Sequence, residues 1–556
     1  MADAGRHRLR GPALHGGVRP VEGPGLGRGA GGAVGRPVHP VRTLALAAPA
    51  FVGRHPGDRV QRGGGGLPGL AAPDAARAGR VTGLTPKGGI VAASSAIATT
   101  SRMPAAFRFA TLATALAFSA LPCAHAEPAA YPATLAGHAV LPAQSFIPAP
   151  PDAPADLRTS GKFTTPRRVD AVGTVEGTSA GRPTGVSLPF QGQPLQGHSG
   201  IKRMADGTFW ILTDNGAGAK ANSPDFMLYL NHYAVDFKTG RFDRLKTVFL
   251  HDPDRKVPFR IAEEGTKERY LTGADFDPES FQFAGGALWI GDEFGPFLIK
   301  ADLDGRVLAV FDTQVDGRVV RSPDHPAVTT AAAPDAKAPA FDIKRSKGFE
   351  GMASSPDGSR LYALLEGPVW DESAKAYESV DGGRQYLRVL EFDVRQEKWT
   401  GRHWKYVLEA NQNAIGDFNM IGPAMGLVIE RDNGEGTPDK ACPEGRKRAD
   451  CFHDVAKFKR VYKVELTDAN AGGPLRKVGY IDLLNIQDPK RLARKPLTGG
   501  VLAFPFFTIE NVDVVDATHI VVGNDNNLPF SSSREPGRAD DNELVLLEAG
   551  DLLRAR

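Results

Sequence analysis

The stretch that decides the fold is KGFEGMASSPDGSRLYALLEGP, residues 347–368. Glu350 stands in a glycine-flanked turn, and a short apolar segment follows it. A Ser-Pro-Asp-Gly turn at residues 355–358 then leads into an apolar run that ends on Glu366. Apolar runs on both sides of a Pro-Asp-Gly turn are typical of a β-hairpin. The stretch therefore predicts two strands joined by a turn, with a carboxylate at each outer end.

The chain contains this unit several times. Three further copies begin on a polar residue and end on an acid, and these ends are Ser199 and Asp214, Glu279 and Asp292 or Glu293, and Glu510 and Asp525. The interval between the two ends is 15, 13 or 14, and 15 residues, against 16 for the first stretch. A fifth copy at residues 426–434, with Glu430, keeps only the second half. Self-similarity with long variable insertions is the signature of a radial or stacked repeat.

The rest of the chain supports an all-β fold. From about residue 168, apolar runs of four to seven residues alternate with Gly, Asp, Asn and Pro turns, and convincing helical stretches are nearly absent. Residues 127–167 are rich in Pro and Ala and indicate an extended lead-in, while residues 320–342 indicate a surface insertion. We predict a β-propeller over residues 168–556, with six or seven blades and long loops between strands.

The N-terminal region has a different composition. Residues 1–102 carry 14 Lys and Arg against four acids, a balance of +10, so the remainder of the chain has +3 − 10 = −7. This Gly-, Ala- and Arg-rich segment is expected to be disordered or not translated at all. The basic pI therefore gives no support to nucleic-acid binding.

A signal peptide is predicted directly after that segment. Residues 103–126 comprise a short basic start, an apolar run of about a dozen residues and an Ala-His-Ala cleavage site. The apolar run is too short for a membrane span. We expect translation to start at Met103 and the protein to be periplasmic or secreted. In such a compartment Cys442 and Cys451, with eight residues between them, indicate a loop-closing disulfide.

As a set, the motifs resemble the bacterial phytase-like family, usually described as having an esterase-like activity of phytase. They are residues 200–201 with 213–216, 277–279, 291–296, 348–351, 428–432 and 524–527. The resemblance covers roughly residues 168–550 and implies an exported propeller with hydrolase activity. The first unit departs from it with His198-Ser199 and the last with Glu510-Asn511, where a Glu-Gly pair would be the fuller form.

Equivalent blade ends converge on the central channel of a propeller, so repeated acids should meet there. Closely spaced carboxylates raise one another's pKa unless something neutralises them. Oxygen ligands without His or Cys partners favour Ca²⁺ over Zn²⁺. The predicted metal ligands are Asp214, Glu279, Asp292, Glu293, Glu366, Glu430, Glu510, Asp525 and Asn526. Alternatively, Glu350 and Glu279 accept backbone N–H groups and only close the blades.

We predict a catalytic role for Glu350 and a general-base role for His198. Lys202, Lys347 and Arg431 each lie beside a repeat motif and would attract an anionic substrate. The resulting hypothesis is a calcium-dependent hydrolase of phosphate or carboxylic esters that acts as a monomer on a small anionic ester. Two alternatives stay open: a propeller lactonase, and a non-catalytic propeller that binds a ligand or partner and uses calcium structurally.

Overall fold

The computed structural model describes residues 127–328 and 341–556, and within them the chain is almost entirely β-structure. The only α-helix among these residues is Gly550–Arg554. None of the described helices has the length and apolarity needed to cross a membrane. The predicted N-terminal extension and signal peptide lie outside the described residues.

Twenty strands form five four-stranded antiparallel blades, numbered here along the chain. Blade one contains His198–Arg203, Phe209–Thr213, Tyr229–Asp236 and Arg241–Phe249. Blade two contains Pro278–Ala284, Ala287–Asp292, Phe297–Ala301 and Val307–Asp312. Blade three contains Phe349–Ser354, Arg360–Leu365, Tyr386–Asp393 and Lys398–Val407. Blade four contains Ala414–Met420, Met425–Arg431, Lys459–Glu465 and Arg476–Gln487.

Blade five joins the two ends of the described chain. It contains Ile509–Val514, His519–Asn524, Asn542–Glu548 and Ala129–Leu141. The strand Ala129–Leu141 pairs antiparallel with Asn542–Glu548 and, at its start, parallel with Arg476–Gln487 of blade four. The segment expected to be a lead-in thus supplies the outer strand of blade five, and its pairing closes the circle of blades.

The first strand of each blade faces the channel. Each of these innermost strands packs against those of the two neighbouring blades, and the strand of blade five packs against that of blade one. The prediction of an all-β propeller is confirmed. The predicted number of six or seven blades is not, because the described residues form five. Residues 146–194 were long enough for a further blade, but they form three short two-stranded ladders instead.

The core lies between neighbouring blades. Trp289 of blade two, for example, is fully buried against Phe349 and Phe392 of blade three.

The remaining short strands are Phe146–Ile147, Thr159–Ser160, Val175–Ser179, Arg182–Leu188, Phe190–Gln191, Gln193–Pro194, Gln314–Val315, Arg318–Val319, Trp370–Asp371, Ala376–Tyr377 and Val501–Leu502. The 3₁₀ helices are Ala155–Arg158, Lys220–Asn222 and Pro438–Lys440. The packing between neighbouring blades holds the five innermost strands in a fixed arrangement around the channel.

Candidate active site: two rings of acids in the channel

A bulge near the start of every innermost strand positions the site. The last regular pairs before the five bulges are His198 with Thr213, Pro278 with Asp292, Phe349 with Leu365, Ile415 with Glu430, and Ile509 with Asn524. A bulge inserts an unpaired residue and re-aims its side chain. In each pair the first residue lies on the innermost strand and the second residue lies on the next strand. The residue that follows each of them along the chain therefore occupies an equivalent place in all five blades.

These two sets of equivalent residues form the site. The bulge ring contains Ser199, Glu279, Glu350, Gly416 and Glu510. The strand-end ring contains Asp214, Glu293, Glu366, Arg431 and Asp525. Seven of the ten positions are acidic, and blade four is the one blade that has no acid in either ring.

Contacts between side chains bring the two rings together. Ser199 Oγ donates to Glu510 Oε2 at 3.0 Å. The guanidinium of Arg431 lies 3.6 Å from Glu510 Oε1 and 3.9 Å from Glu366 Oε1. Lys347 Nζ forms an ion pair with Glu366 Oε2. Residues of blades one, three, four and five thus meet in one polar cluster.

Burial and mutual repulsion raise the pKa values of the ring acids. Burial is the larger cause for Glu279, Glu293, Glu350 and Asp525, whose pKa values lie well above the usual range, and neighbouring carboxylates add to it. Burial also raises the pKa of Glu510 to about 7, although Arg431 opposes this increase. The ring acids therefore favour the protonated form unless a cation compensates them.

The arrangement fits a divalent cation on two grounds. Asp277, Glu279 and Glu293 each have one carboxylate oxygen that lies within 4.8 Å of the corresponding oxygens of the other two. The same is true of Glu293, Glu350 and Glu366. Several buried oxygens also lack a hydrogen-bond partner in the protein, and these are Glu279 Oε2, Glu293 Oε1, Glu350 Oε1 and Glu366 Oε1. Leaving such oxygens unpaired is costly, and a hard cation with oxygen ligands is the group that would satisfy them.

The turn that follows Arg431 holds its guanidinium in place. Asp432 accepts hydrogen bonds from the backbone N–H groups of Lys457 and Phe458 at 2.8 and 3.0 Å. The buried Lys459 Nζ lies 3.0 Å from Asp432 Oδ1 and donates to the Asp432 carbonyl at 2.8 Å. Arg431 itself donates to Asn433 Oδ1 at 3.0 Å. These contacts fix the direction in which the guanidinium points.

Two predicted ligands lie outside the rings because successive side chains of a strand point to opposite faces. Asp292 accepts the backbone N–H groups of Asp277 and Gly295 at 2.8 and 2.7 Å and so closes the turn after its strand. Glu430 accepts from Tyr406 Oη and Lys477 Nζ, both at 2.8 Å, and its other oxygen accepts two further hydrogen bonds. The ring members are instead their neighbours, Glu293 and Arg431.

His198 is not placed to act as a general base. Its ring is completely buried, lies 6.0 Å from the ring of Tyr233 and has no hydrogen-bond partner on either nitrogen. Burial lowers its pKa to about 3, which makes it a very weak proton acceptor. Its strand position corresponds to Pro278, Phe349 and Ile509 in other blades, so it replaces an apolar side chain. The residue that enters the channel is Ser199.

The ligands predicted in blades one and five are only partly available. Asp214 accepts from Gln196 Nε2 and Gly216 N through the same oxygen, Oδ1, at 2.8 and 2.9 Å. Asp525 Oδ1 accepts Asn527 N at 2.7 Å. Asn526 uses both ends of its amide, since Oδ1 accepts Gly197 N at 3.3 Å and Nδ2 donates to the Asp540 carbonyl at 3.0 Å. Asn526 therefore links blades one and five rather than facing a metal.

Lys202 lies further along the channel, behind a polar plug. Asn419 of blade four accepts from Lys202 Nζ at 3.0 Å and from Gln282 Nε2 at 2.8 Å. It also donates to the carbonyls of Ile201 and Val512 at 3.2 and 2.9 Å. Beyond this plug Lys202 borders a cavity of about 1060 Å³ lined by the hairpin turns of the blades. Lys202 is thus separated from the acid rings, whereas Lys347 and Arg431 contact them.

The sequence reasoning missed Asp277 as a candidate ligand. Asp277 is buried, its Oδ1 accepts Asn215 N at 3.3 Å, and burial raises its pKa to about 8. It stands two residues before Glu279, a spacing that places both side chains on one face of an extended chain. That period of two was the available signal.

The predicted disulfide lies in a loop of blade four. Cys442 and Cys451 form a disulfide with a Cα–Cα distance of 4.9 Å. It closes the loop between the second and third strands of blade four, which begins with the turn after Arg431.

The chain is similar in sequence to a known family and to one curated protein. The profile of the family described as "Phytase-like: Esterase-like activity of phytase" matches residues 193–528. A curated relative, an uncharacterized secreted protein of Arthroderma benhamiae, is 29% identical over 119 residues, which are 20% of this chain and 22% of the relative. The match thus spans less than a quarter of that relative's length.

Solved structures give more distant likenesses. A periplasmic gluconolactonase of Pseudomonas aeruginosa is 14% identical, with 67% of this chain and 96% of that chain covered and a TM-score of 0.27. The calcium-binding protein regucalcin of Agrobacterium tumefaciens is 13% identical, with 64% and 92% covered and a TM-score of 0.29. The family match spans more than half of the chain, including every innermost strand and both acid rings. This chain belongs to the phytase-like family, described by its esterase-like activity of phytase.

Proposed function

We propose that this chain is an exported hydrolase that binds calcium in its acid rings and cleaves esters of small anionic substrates there, with phosphate esters as the first candidates. The observation that carries the proposal is the pairing of opposite chemistries in one cluster. Buried carboxylate oxygens without partners favour a cation, and Arg431 and Lys347 beside them favour an anion. An ester with an anionic group matches both.

Asp277, Glu279 and Glu293 would hold the cation, with Glu350 and Glu366 beside them. All-oxygen ligands of this kind suit Ca²⁺ better than Zn²⁺. When bound, the ion would polarise an oxygen of the ester and lower the pKa of an attacking water. Family membership supports the reaction class, and the chemistry of the donor set supports the metal.

Arg431 would orient the substrate. A guanidinium presents a planar fork of donors that matches phosphate and carboxylate groups, and it stays charged at all working pH values. The guanidinium lies over the ring of the exposed Phe507, with 5.4 Å between the guanidinium carbon and the ring centroid, so the fork is supported from one side. Lys347 adds a second positive charge, because burial lowers the pKa of its ammonium group but the carboxylates of Glu366 and Glu293 raise it by more.

Glu350 would transfer the proton in the reaction, as a general acid or base. Its Oε1 is buried and has no hydrogen-bond partner, so a water molecule in the ring can donate to it. Burial and the charges of Glu510 and Glu366 raise its pKa, and a raised carboxyl pKa is suited to proton transfer near neutral pH. Arg431 of the neighbouring blade four opposes this increase.

Export to the periplasm or the medium is part of the proposal. It is supported by the signal-like segment at residues 103–126 and by the disulfide, because disulfides persist mainly in oxidising compartments.

The test is hydrolysis of phytate, of a simple phosphate monoester and of a carboxylic ester by the purified protein, with calcium and after chelation. We expect phosphate release that requires calcium and falls by about 10²-fold or more in Glu350→Gln. The matched control is Glu548→Gln, which changes an exposed glutamate of blade five and should leave the rate unchanged.

Turnover that is equal with and without calcium would contradict the proposed metal. Turnover of a lactone in place of all three esters would assign the alternative lactonase reaction. Calcium binding without any turnover would leave a propeller that binds ligands only.

A further inference from the structure

Two groups of carboxylates in the rings share one residue. The first group, site one, is Asp277, Glu279 and Glu293. The second group, site two, is Glu293, Glu350 and Glu366. In each group one oxygen per residue lies within 4.8 Å of the other two. Glu293 stands between blades two and three, so one carboxylate serves both groups.

Unpartnered oxygens give an independent indication that both sites face a ligand. Glu279 is 9% exposed, Glu293 5%, Glu350 4% and Glu366 5%. Each of the four has one buried oxygen without a hydrogen-bond partner in the protein. Polar atoms buried to this degree are normally satisfied. Because site one and site two both contain such atoms, a single cation at one of them would leave the other unsatisfied.

The two sites differ in the charges that surround them. Every neighbouring charge that acts strongly on Glu279 is negative, since it comes from Asp277, Glu510, Glu350 or Glu293. Site two already has a positive neighbour, because Lys347 Nζ pairs with Glu366 and attracts Glu293 and Glu350 as well. A cation that enters site two must approach this ammonium group, and like charges repel.

We propose that the channel binds two divalent cations of unequal affinity, with Glu293 as their shared ligand: a tighter one at site one and a weaker one at site two, where Lys347 competes. This inference rests on the proposed function and adds its stoichiometry. Two cations bridged by a carboxylate are a recurrent device for phosphoryl chemistry, because both the attacking and the leaving oxygen can be stabilised.

The experiment measures binding rather than turnover. Calcium is titrated by calorimetry into chelator-treated full-length protein, and terbium luminescence counts the sites in parallel. We expect two binding events per chain whose dissociation constants differ by about tenfold or more. Asp277→Asn should remove only the tighter event. Lys347→Met should tighten the weaker event by about tenfold and the tighter event much less, because the competing charge pairs with Glu366 of site two.

Further variants complete the design. Glu293→Gln should weaken both events, whereas the surface control Glu548→Gln should change neither. Circular dichroism of each variant checks that it is folded. Should Asp277→Asn fail to fold, Lys347→Met still tests the inference, because its side chain is only half-buried and the expected effect is a gain of affinity.

The outcomes separate this inference from the proposed function. One event per chain, abolished alike by Asp277→Asn and Glu366→Gln, would overturn the two-cation arrangement and leave a single calcium site. No calcium binding at all would overturn both. Two events together with calcium-independent hydrolysis would support the two sites and contradict the proposed role of calcium in the reaction.

Discussion

Raising the pH should destabilise the calcium-free protein, and Glu510 allows the size of the effect to be calculated. Burial raises the pKa of Glu510 from 4.5 to about 7 in the folded state. Between these two values the folded protein binds more protons than the unfolded chain does. The free energy of unfolding must therefore fall as the pH rises through this window. At 1.36 kcal/mol per pH unit the total is about 3 kcal/mol, of which about 2.5 kcal/mol falls between pH 5 and pH 8.

The assay is equilibrium unfolding by urea at pH 5 and pH 8 in the presence of a chelator. We expect a net loss of about 2.5 kcal/mol or more, because the raised pKa of Asp277 acts in the same direction and outweighs the lowered pKa of His198, which acts in the opposite direction. Glu510→Gln should reduce the loss by about that amount, since the amide has no proton to release. Calcium at 100 times its dissociation constant should restore about 2.7 kcal/mol at pH 8. An unfolding free energy that stays constant or rises from pH 5 to pH 8 would refute the reasoning.

Three further changes test separate parts of the site. Arg431→Met should raise KM for a phosphate ester about 10- to 100-fold, with Arg431→Lys in between, because the planar fork is lost; steady-state kinetics that show only a lower kcat would contradict this role. His198→Leu should leave kcat within about twofold, because the imidazole makes no hydrogen bond, and a loss of about 10²-fold would return His198 to catalysis. Replacing Cys442 and Cys451 with Ser should cost up to about 3 kcal/mol and speed proteolysis of their loop; unchanged cleavage rates would show that the disulfide does not restrain it.

The repeated hairpin made the fold predictable, because it is a local pattern. Four of the five copies found in the sequence are the two innermost strands of a blade, and the partial copy at residues 426–434 covers the second strand of blade four. The closing strand Ala129–Leu141 was not predictable in the same way. Its partner, Asn542–Glu548, lies about 400 residues away, and no local pattern of either segment specifies that pairing.

The site was predictable to within one residue along each strand. Asp292 and Glu293 are adjacent acids, and so the sequence could not decide which of them enters the channel. Glu430 was chosen as the acid of blade four, whereas Arg431 holds the ring position. Side chains alternate with a period of two, and a bulge shifts that alternation by one residue. Only the observed strand pairing fixes the shift.

Blade four makes the distribution of charge around the channel asymmetric. At its bulge position, Gly416, an added Cβ would lie 2.1 Å from the carbonyl oxygen of Ile509, so this blade has no room for a carboxylate there. At its strand-end position Arg431 reaches the acids of blades three and five, Glu366 and Glu510, but not those of blade two. Arg431 therefore supplies its positive charge to the acids of blades three and five rather than to those of blade two. The electrostatic energy of binding is therefore most favourable for a cation beside blade two and for an anion beside blade four. In the proposed function, a substrate that bridges the two would thereby be held in one orientation across Glu350.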